Sequence, residues 1–545
     1  MLSKLLSRAI AKFGRLASAN RLRTADEKIL AAIDRCANDD FAAAGALAEA
    51  VIAHAPGHAG AHYLLGLLAC HGGAVGVGAR SIERALALEP GNTQFLAALA
   101  DARLLQERED EALALYGEAF PREWTSIGGL DDAGLSWKRA HPVWTRDLRR
   151  VVLPLPDSTT AKARARGTIQ LSDAVPGHLL NWALLLISRR QGRRAMWLLE
   201  KAIAADAHLA YAHAALALLR TLNRDWSMAL AAAKRARVLG AEVFPGANDL
   251  CVIASQLGLG TNIPDLDPLF DWSALSGAHV PGASRLECLP LIEGDAFPQF
   301  PAGVLVCFIA CDSRYLLDHA IALACSIREN AGNCAVHLHV YNPTPEDWST
   351  IHKLTRAVAP MQLSTTWEAV DFERYGGKGM YCANVRFWRL HQILQSTPNR
   401  VAMLDADSLV RGDLASALGG CRAIGLVRAA DEPMWHQYLA GFTVFRRCAE
   451  VERFLGELGF FLVSNVLACR GRTYLDQIGL YVCARHCSEA VGDAIEALPI
   501  ERFCDTLFQD TAIVWSVTQN KTDDSPFSRY RRLMLARFEN CGDNP

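Results

Sequence analysis

Val401-Ala402-Met403-Leu404-Asp405-Ala406-Asp407-Ser408-Leu409-Val410 decides how the second half of this 545-residue chain is read. The four leading apolar residues form too short a run for a helix and fit a buried strand. Two carboxylates follow at i and i+2, and on extended chain such side chains project to one side. Apolar residues resume at once with Leu409 and Val410. A strand ending in paired acids predicts a place where Asp405 and Asp407 share one divalent cation. The ion's remaining positions then go to phosphate oxygens, and it neutralises charge that grows as a diphosphate leaves.

The residues upstream set this strand in a larger pattern. Val304–Ile309 is strand-like and ends near Cys311-Asp312-Ser313, and a helical stretch follows from Leu316 to Glu329. Val336–Tyr341 alternates like a strand, with helix again near Asp347 to Val358. Met380 to Gln395 reads as a helix with Phe387, Leu390 and Leu394 on one side. Strand–helix alternation predicts an α/β domain with a mostly parallel sheet. Ligands of such sheets bind beyond the carboxyl ends of the strands, where Asp312 and Asp405/Asp407 both fall.

The order of these motifs resembles the nucleotide-sugar-dependent glycosyltransferases of the Rossmann-like GT-A fold, in the glycogenin and bacterial galactosyltransferase group (family 8 type). The resemblance runs from about Val304 to Lys521. It rests on Asp312-Ser313-Arg314-Tyr315, on Asn384-Val385-Arg386-Phe387, on the Asp405/Asp407 pair, on Ala440-Gly441 within Leu439–Phe445, and on Asp476-Gln477. The resemblance implies a UDP-sugar donor, with Asp312 and Tyr315 holding the uridine. It implies Mn²⁺ or Mg²⁺ on Asp405 and Asp407, with Arg386 and Lys521 complementing phosphate charge. It implies Ala440 and Gly441 lining the donor sugar, Asp476 and Gln477 facing the reacting carbon, and retention of anomeric configuration. Where the family has a His as third metal ligand, six residues before a Lys, this chain has Trp515, which cannot ligate a metal. Residue by residue, blander roles compete: Arg386 can pair with Glu373, Asp407 can cap a turn, and Asp476 can cap a helix.

The first half carries a different signal. Pro56 and Pro90 are 34 residues apart, as are Ala44 and Gly78, Gly78 and Ala112, Ala85 and Ala119, Ala195 and Ala229, and Ala202 and Ala236. A 34-residue step with small residues in phase resembles the tetratricopeptide repeat, two short helices closed by a Pro-punctuated turn. One such unit cannot bury its apolar face alone, so the units must stack, and the stack offers a groove for an acceptor or partner. The predicted organisation is a basic amphipathic helix at 1–23, an all-helical solenoid at 24–257 with an irregular insertion near 121–176, a Pro/Gly-rich linker at 258–303, and the α/β domain at 304–545. The first 23 residues hold six Lys or Arg and no acid. They read better as a cap of the solenoid than as an anionic-membrane contact, although the pattern serves both. The insertion is also basic between Lys138 and Arg166.

Composition bounds the rest. Apolar residues make up 51% and charged residues 21%, so the chain is globular. With 56 Lys/Arg against 58 Asp/Glu there is no basic excess for wholesale nucleic-acid binding. The longest apolar run, Val304–Cys311, is far below the ~20 residues of a membrane span. Sixteen cysteines in 545 residues are too sparse for a disulfide scaffold and fit free thiols in a cytoplasmic setting. The expectation is a metal-dependent glycosyltransferase whose repeats recruit a protein or glycan acceptor. The alternative is a glycosyltransferase-like scaffold without turnover.

Overall fold

A computed structural model describes residues 24–36, 38, 40–128, 130, 176–275, 286–294, 300–430, 432–470, 474–517 and 525–540. The basic segment 1–23, most of the insertion and Lys521 lie outside the described residues. The chain divides into two compact units, Met1–Asn248 and Asp249–Pro545.

The first unit is built of helix pairs. A helix at 24–36 is followed by Phe41–His54, Ala59–His71 by Val75–Leu88, and Thr93–Leu105 by Glu109–Ala119. After the short helix Pro121–Gly128 come Pro176–Ser188 with Gly192–Ala205, and Ala210–Leu222 with Trp226–Leu239. Second helices begin at 41, 75 and 109, then at 192 and 226, so each step is 34 except one of 83, which is 34 plus 49. The helix Pro176–Ser188 packs on both Thr93–Leu105 and Glu109–Ala119. The stack therefore resumes in phase after about 49 extra residues.

Small residues make the pairs close. A Cβ on Gly78 would come within 2.3 Å of Cys70 Sγ and 2.6 Å of the Gly66 carbonyl, and one on Gly66 within 2.5 Å of Ile82. Backbone meets backbone there, as the in-phase glycine and alanines predict. Caps set the starts: Asp40 accepts from the Ala43 amide, and Asn92 from those of Gln94 and Phe95. Across the resumed junction, the buried carboxylate of Asp101 takes the Tyr116 hydroxyl and, at 2.6 Å, His178 Nδ1.

The second unit carries an eight-stranded sheet. Its strands are β1 (Glu293–Gly294), β2 (Leu305–Asp312), β3 (Cys334–Tyr341), β4 (Leu363–Glu368), β5 (Arg400–Leu404), β7 (Ile424–Arg428), β8 (Tyr438–Arg446) and β9 (Ile495–Pro499), in the order β1-β4-β3-β2-β5-β8-β7-β9. A separate antiparallel pair joins β6 (Ser408–Val410) to β10 (Val514–Ser516). β4-β3-β2-β5 run parallel, but β8 is antiparallel to both β5 and β7. The sheet is mostly parallel, as expected: β9 runs parallel to β7, so six of the eight strands share one direction and only β1 and β8 run against them. Only residues 429–437 separate β7 from β8, fewer than the dozen or more that a parallel crossover needs.

β2 and β3 are buried on both faces. Cys307, Ile309, Val336 and Leu338 join the core that includes the helix Ile321–Asn330. On the other face lie Phe308, His337, His339 and Tyr341, and Tyr341 packs with Tyr381 and Val385 of the helix Lys378–Ser396. From β2 the chain moves to β3 on one side, while β5 lies on the other. The crevice between the carboxyl ends of β2 and β5 is therefore a topological switch point. Part of the Pro-rich stretch belongs to this unit, where Trp272 stacks on Phe461 and the Asp271 amide donates to Asn465. Among the described residues no helix is long and apolar enough to cross a membrane.

Candidate functional site

Asp312 ends β2, and Asp405 follows β5 next to it in the sheet. Asp405 and Asp407 do not sit on extended chain as expected. They form a tight turn in which the Ser408 amide donates to the Asp405 carbonyl at 3.0 Å, and β6 leaves at once to pair with β10. The turn is anchored by the Asp405 amide, which donates to Gly441 O at 2.9 Å. Gly441 leaves room for the acid: a Cβ would stand 2.9 Å from Asp405 Oδ2, so a side chain there would push the carboxylate aside. Ala440 and Gly441 of β8 thus line the acid turn through their backbone.

Arg386 is the hub. The residue is 9% exposed, and its guanidinium pairs with Asp405, reaches Asp476 Oδ2 at 3.2 Å, and donates to Ala440 O at 3.2 Å. Burial opposes its charge, but Asp405 and Asp476 outweigh that and hold its pKa above the ordinary guanidinium value. Its partners are these acids and not Glu373. Asp476 begins the helix Leu475–His486, and its Oδ1 accepts from the Gln477 amide at 2.9 Å. Burial, helped by Asp405 and opposed by Arg386, raises the Asp476 pKa. Gln477 Oε1 is buried and accepts no hydrogen bond from the described residues.

At the other end of the crevice, Asp312 Oδ1 caps a short turn by accepting from the Tyr315 amide at 2.8 Å, and Oδ2 pairs with Lys378. Tyr315 is 37% exposed, with its ring 5.0 Å from that of His319. Lys378 was missed from sequence. A signal existed in Gly376-Gly377-Lys378, where both glycines take positive φ (+78° and +100°) and place a lysine at the start of a 19-residue helix. Lys378, Cys382 and Arg386 then recur at steps of four on one helical face. Cys382 lies between the two ends. Burial and Asp312 push its thiol pKa up to about 12, against Lys378 and Arg386.

The structure therefore brings together Asp312, Lys378, Arg386, Asp405, Ala440, Gly441 and Asp476. Lys521 lies outside the described residues. Trp515 is a core residue of β10. It is 4% exposed, its Nε1 donates to Gln509 O at 2.9 Å, and its ring meets Phe508, Tyr530 and the Arg411 guanidinium. Two aspartates supply hard oxygen donors that suit Mn²⁺ or Mg²⁺. Among the described residues no third His, Cys, Asp or Glu joins them in a metal-binding group. A cation here would take most of its ligands from phosphate oxygens and water, which is how Mg²⁺ is commonly held.

No protein-family model matches the sequence, and no curated protein matches it. Among solved structures, PilF of Pseudomonas aeruginosa is similar at 14% identity and a TM-score of 0.31, over 44% of this chain and 87% of that one. The bifunctional glycosyltransferase WbbM is similar at 14% identity and a TM-score of 0.31, over 46% of this chain. The glycosyltransferase GlyE of Streptococcus pneumoniae is similar at 14% identity and 0.28, over 43%. This chain spans 52% of WbbM and 59% of GlyE. At these TM-scores the likenesses carry no argument about activity.

Proposed function

We propose that the α/β unit is a metal-dependent glycosyltransferase that moves a sugar from a UDP-sugar to an acceptor recruited by the helical repeats. The observation that carries the reading is Arg386, which joins Asp405, just past the carboxyl end of β5, to Asp476 on the helix Leu475–His486. One arm of the crevice then suits a nucleoside, with Asp312 accepting and Tyr315 stacking. The other suits a diphosphate and sugar. Lys378 and Arg386 lie along one helix face between them and complement phosphate charge.

Asp405 and Asp407 would hold Mn²⁺ or Mg²⁺, which supplies charge neutralisation for the leaving diphosphate. The reaction breaks the bond between the anomeric carbon and the β-phosphate oxygen and forms one to an acceptor hydroxyl, whose proton is released. Arg386 keeps the Asp405 and Asp476 carboxylates apart and oriented. Asp476, with its raised pKa, orients the donor sugar or accepts a proton, and Gln477 offers its unpaired amide oxygen beside it.

A second reading, a scaffold without turnover, is favoured by one observation: the position of the family's third ligand is a buried Trp515. A nucleotide-release assay separates the two. Purified protein is given UDP-, GDP- and CMP-sugars with and without Mn²⁺, beside Asp407→Ala. The expected outcome is Mn²⁺-dependent UDP release from one donor, reduced at least about 100-fold in the variant. Full release by Asp407→Ala would remove the metal pair, and absence of both release and UDP binding would favour the scaffold.

A further inference from the structure

Beneath the crevice lies a second buried ion pair that the proposed chemistry does not use. Arg389, one turn beyond Arg386, is 2% exposed and pairs with Glu368, which is fully buried at the end of β4. The same guanidinium donates to Pro290 O at 2.8 Å and to Gln392 Oε1 at 2.9 Å. Pro290 belongs to the segment whose β1 pairs with β4. His339 Nε2 stands 3.7 Å from the second oxygen of Glu368, and its Nδ1 meets Thr366 Oγ1 at 3.0 Å. Arg389 thus ties one helix both to β4 and to the segment that leads into the edge strand β1.

That helix is Lys378–Ser396, the element that presents Lys378, Cys382 and Arg386 to the crevice. Apolar packing sets a helix's rotation about its axis through shape and gives no directional bond. A directional, bidentate-capable guanidinium does supply one. Functional constellations need placement within about 0.5 Å and 10–20°. Two buried arginines one turn apart, Arg389 pinned by Glu368 of β4 and Arg386 by Asp405 after β5 and Asp476 of a second helix, meet that need.

We propose that the Glu368–Arg389 pair positions the donor site, fixing the rotation of the helix Lys378–Ser396 so that Lys378 meets Asp312 and Arg386 meets Asp405 and Asp476. Neither Glu368 nor Arg389 touches the donor; both act through Arg386. The kinetic half of this inference rests on the glycosyltransferase reading, while the geometric half does not.

The experiment compares the full chain with the double variant Glu368→Leu/Arg389→Met. An apolar pair of similar volume keeps or restores stability where a buried ion pair is replaced whole. The first readout is alkylation of the half-buried Cys382 by N-ethylmaleimide, followed by peptide mass spectrometry, because that thiol rides on the rotating face. The second is UDP release at saturating and limiting donor. The double variant is expected to melt close to the wild type, yet to alkylate at Cys382 about tenfold faster. Its kcat is expected to fall about 10- to 100-fold, with a smaller change in KM. Wild-type alkylation and wild-type kcat in a stable double variant would overturn the proposal and leave the pair structural. If the wild type itself releases no UDP, the glycosyltransferase reading fails, and Cys382 alkylation alone still decides the positioning. If the double variant does not fold, Arg389→Lys, which keeps the charge and loses the fork, is read in the same two ways.

Discussion

The two units of this chain solve close packing by opposite means. In the repeat unit, geometry comes from what is missing. Gly66 and Gly78 let two helix backbones touch, and Ala44, Ala85, Ala112, Ala202 and Ala236 keep the same spacing elsewhere, each essentially without solvent exposure. In the α/β unit, geometry comes from charge. Arg386 binds two acids and Arg389 a third, and Lys378 bridges to Asp312 over 66 residues. The first means tolerates no added atom. The second tolerates no removed partner where the group left behind is largely buried, as Asp476 and Glu368 are.

The largest break in this contrast comes from Arg386→Met. It leaves the Asp476 carboxylate, 14% exposed, beside Asp405 without its Arg386 partner. Removing one partner of a buried pair costs about 3–5 kcal/mol, and the more exposed Asp405 adds little to that. Expected outcomes are a large drop in the urea midpoint of the α/β unit and loss of UDP binding by calorimetry. Arg386→Lys keeps the charge but not the fork, so it is expected to recover most stability and little binding. Wild-type UDP affinity in Arg386→Met would detach the hub from the donor.

A smaller break is Gly78→Ala in the repeat unit. One methyl meets Cys70 Sγ and the Gly66 carbonyl, and the carbonyl is backbone that cannot swing away. Overpacking of this kind costs about 1–3 kcal/mol. Hydrogen exchange in the helices Ala59–His71 and Val75–Leu88 is expected to accelerate by a matching factor, with exchange in β2 and β5 unchanged. Gly76→Ala is the control, since its Cβ would meet nothing nearer than the far end of Arg80 at 3.9 Å. Equal effects of the two substitutions would show that helix propensity, and not contact, sets the spacing.

This contrast also explains what could be read in the sequence. The 34-residue step is a local pattern of small residues, so it was legible, and so was its resumption after the insertion. The strand–helix alternation up to Leu404 was legible for the same reason, and it placed Asp312 and Asp405 at strand ends. The turn at Asp405–Ser408 was not, because the pairing of β6 with β10 across about a hundred residues decides it. Nor was Lys378, whose partner is an acid on another strand. Trp515 read only as a missing ligand. Its positive role, a ring set among Phe508, Tyr530 and Arg411, depends on neighbours from separate stretches of the chain. Glu368 and Arg389 gave no signal at all, since either residue alone looks like a solvated charge.

The finest test of charge against packing is the pair of histidines under the crevice. His337 is fully buried between hydroxyls, with Nδ1 2.8 Å from Ser364 Oγ and Nε2 3.0 Å from Thr366 Oγ1. Burial, with a smaller push from His339, lowers its pKa to about 3. His339 is lowered too, again chiefly by burial, against Glu368. A base with a depressed folded pKa binds its proton only after unfolding. Between the ordinary imidazole value of 6.5 and about 3 the unfolded chain therefore holds more protons, and acid favours it. Stability from His337 is complete above pH 6.5 and is lost as pH falls through that window, by up to about 1.4 kcal/mol per pH unit. His337→Phe keeps the ring contact with Phe308 and removes one of the two protons. Hydrogen exchange of β3 and β4 peptides at pH 7, 6 and 5, corrected for intrinsic rates, is expected to show a shallower loss of protection in the variant. Equal slopes would mean that folded His337 takes up its proton like an exposed imidazole. The polar face under Lys378–Ser396 would then be wet, and the rotation of that helix would rest on Arg389 and Glu368 alone.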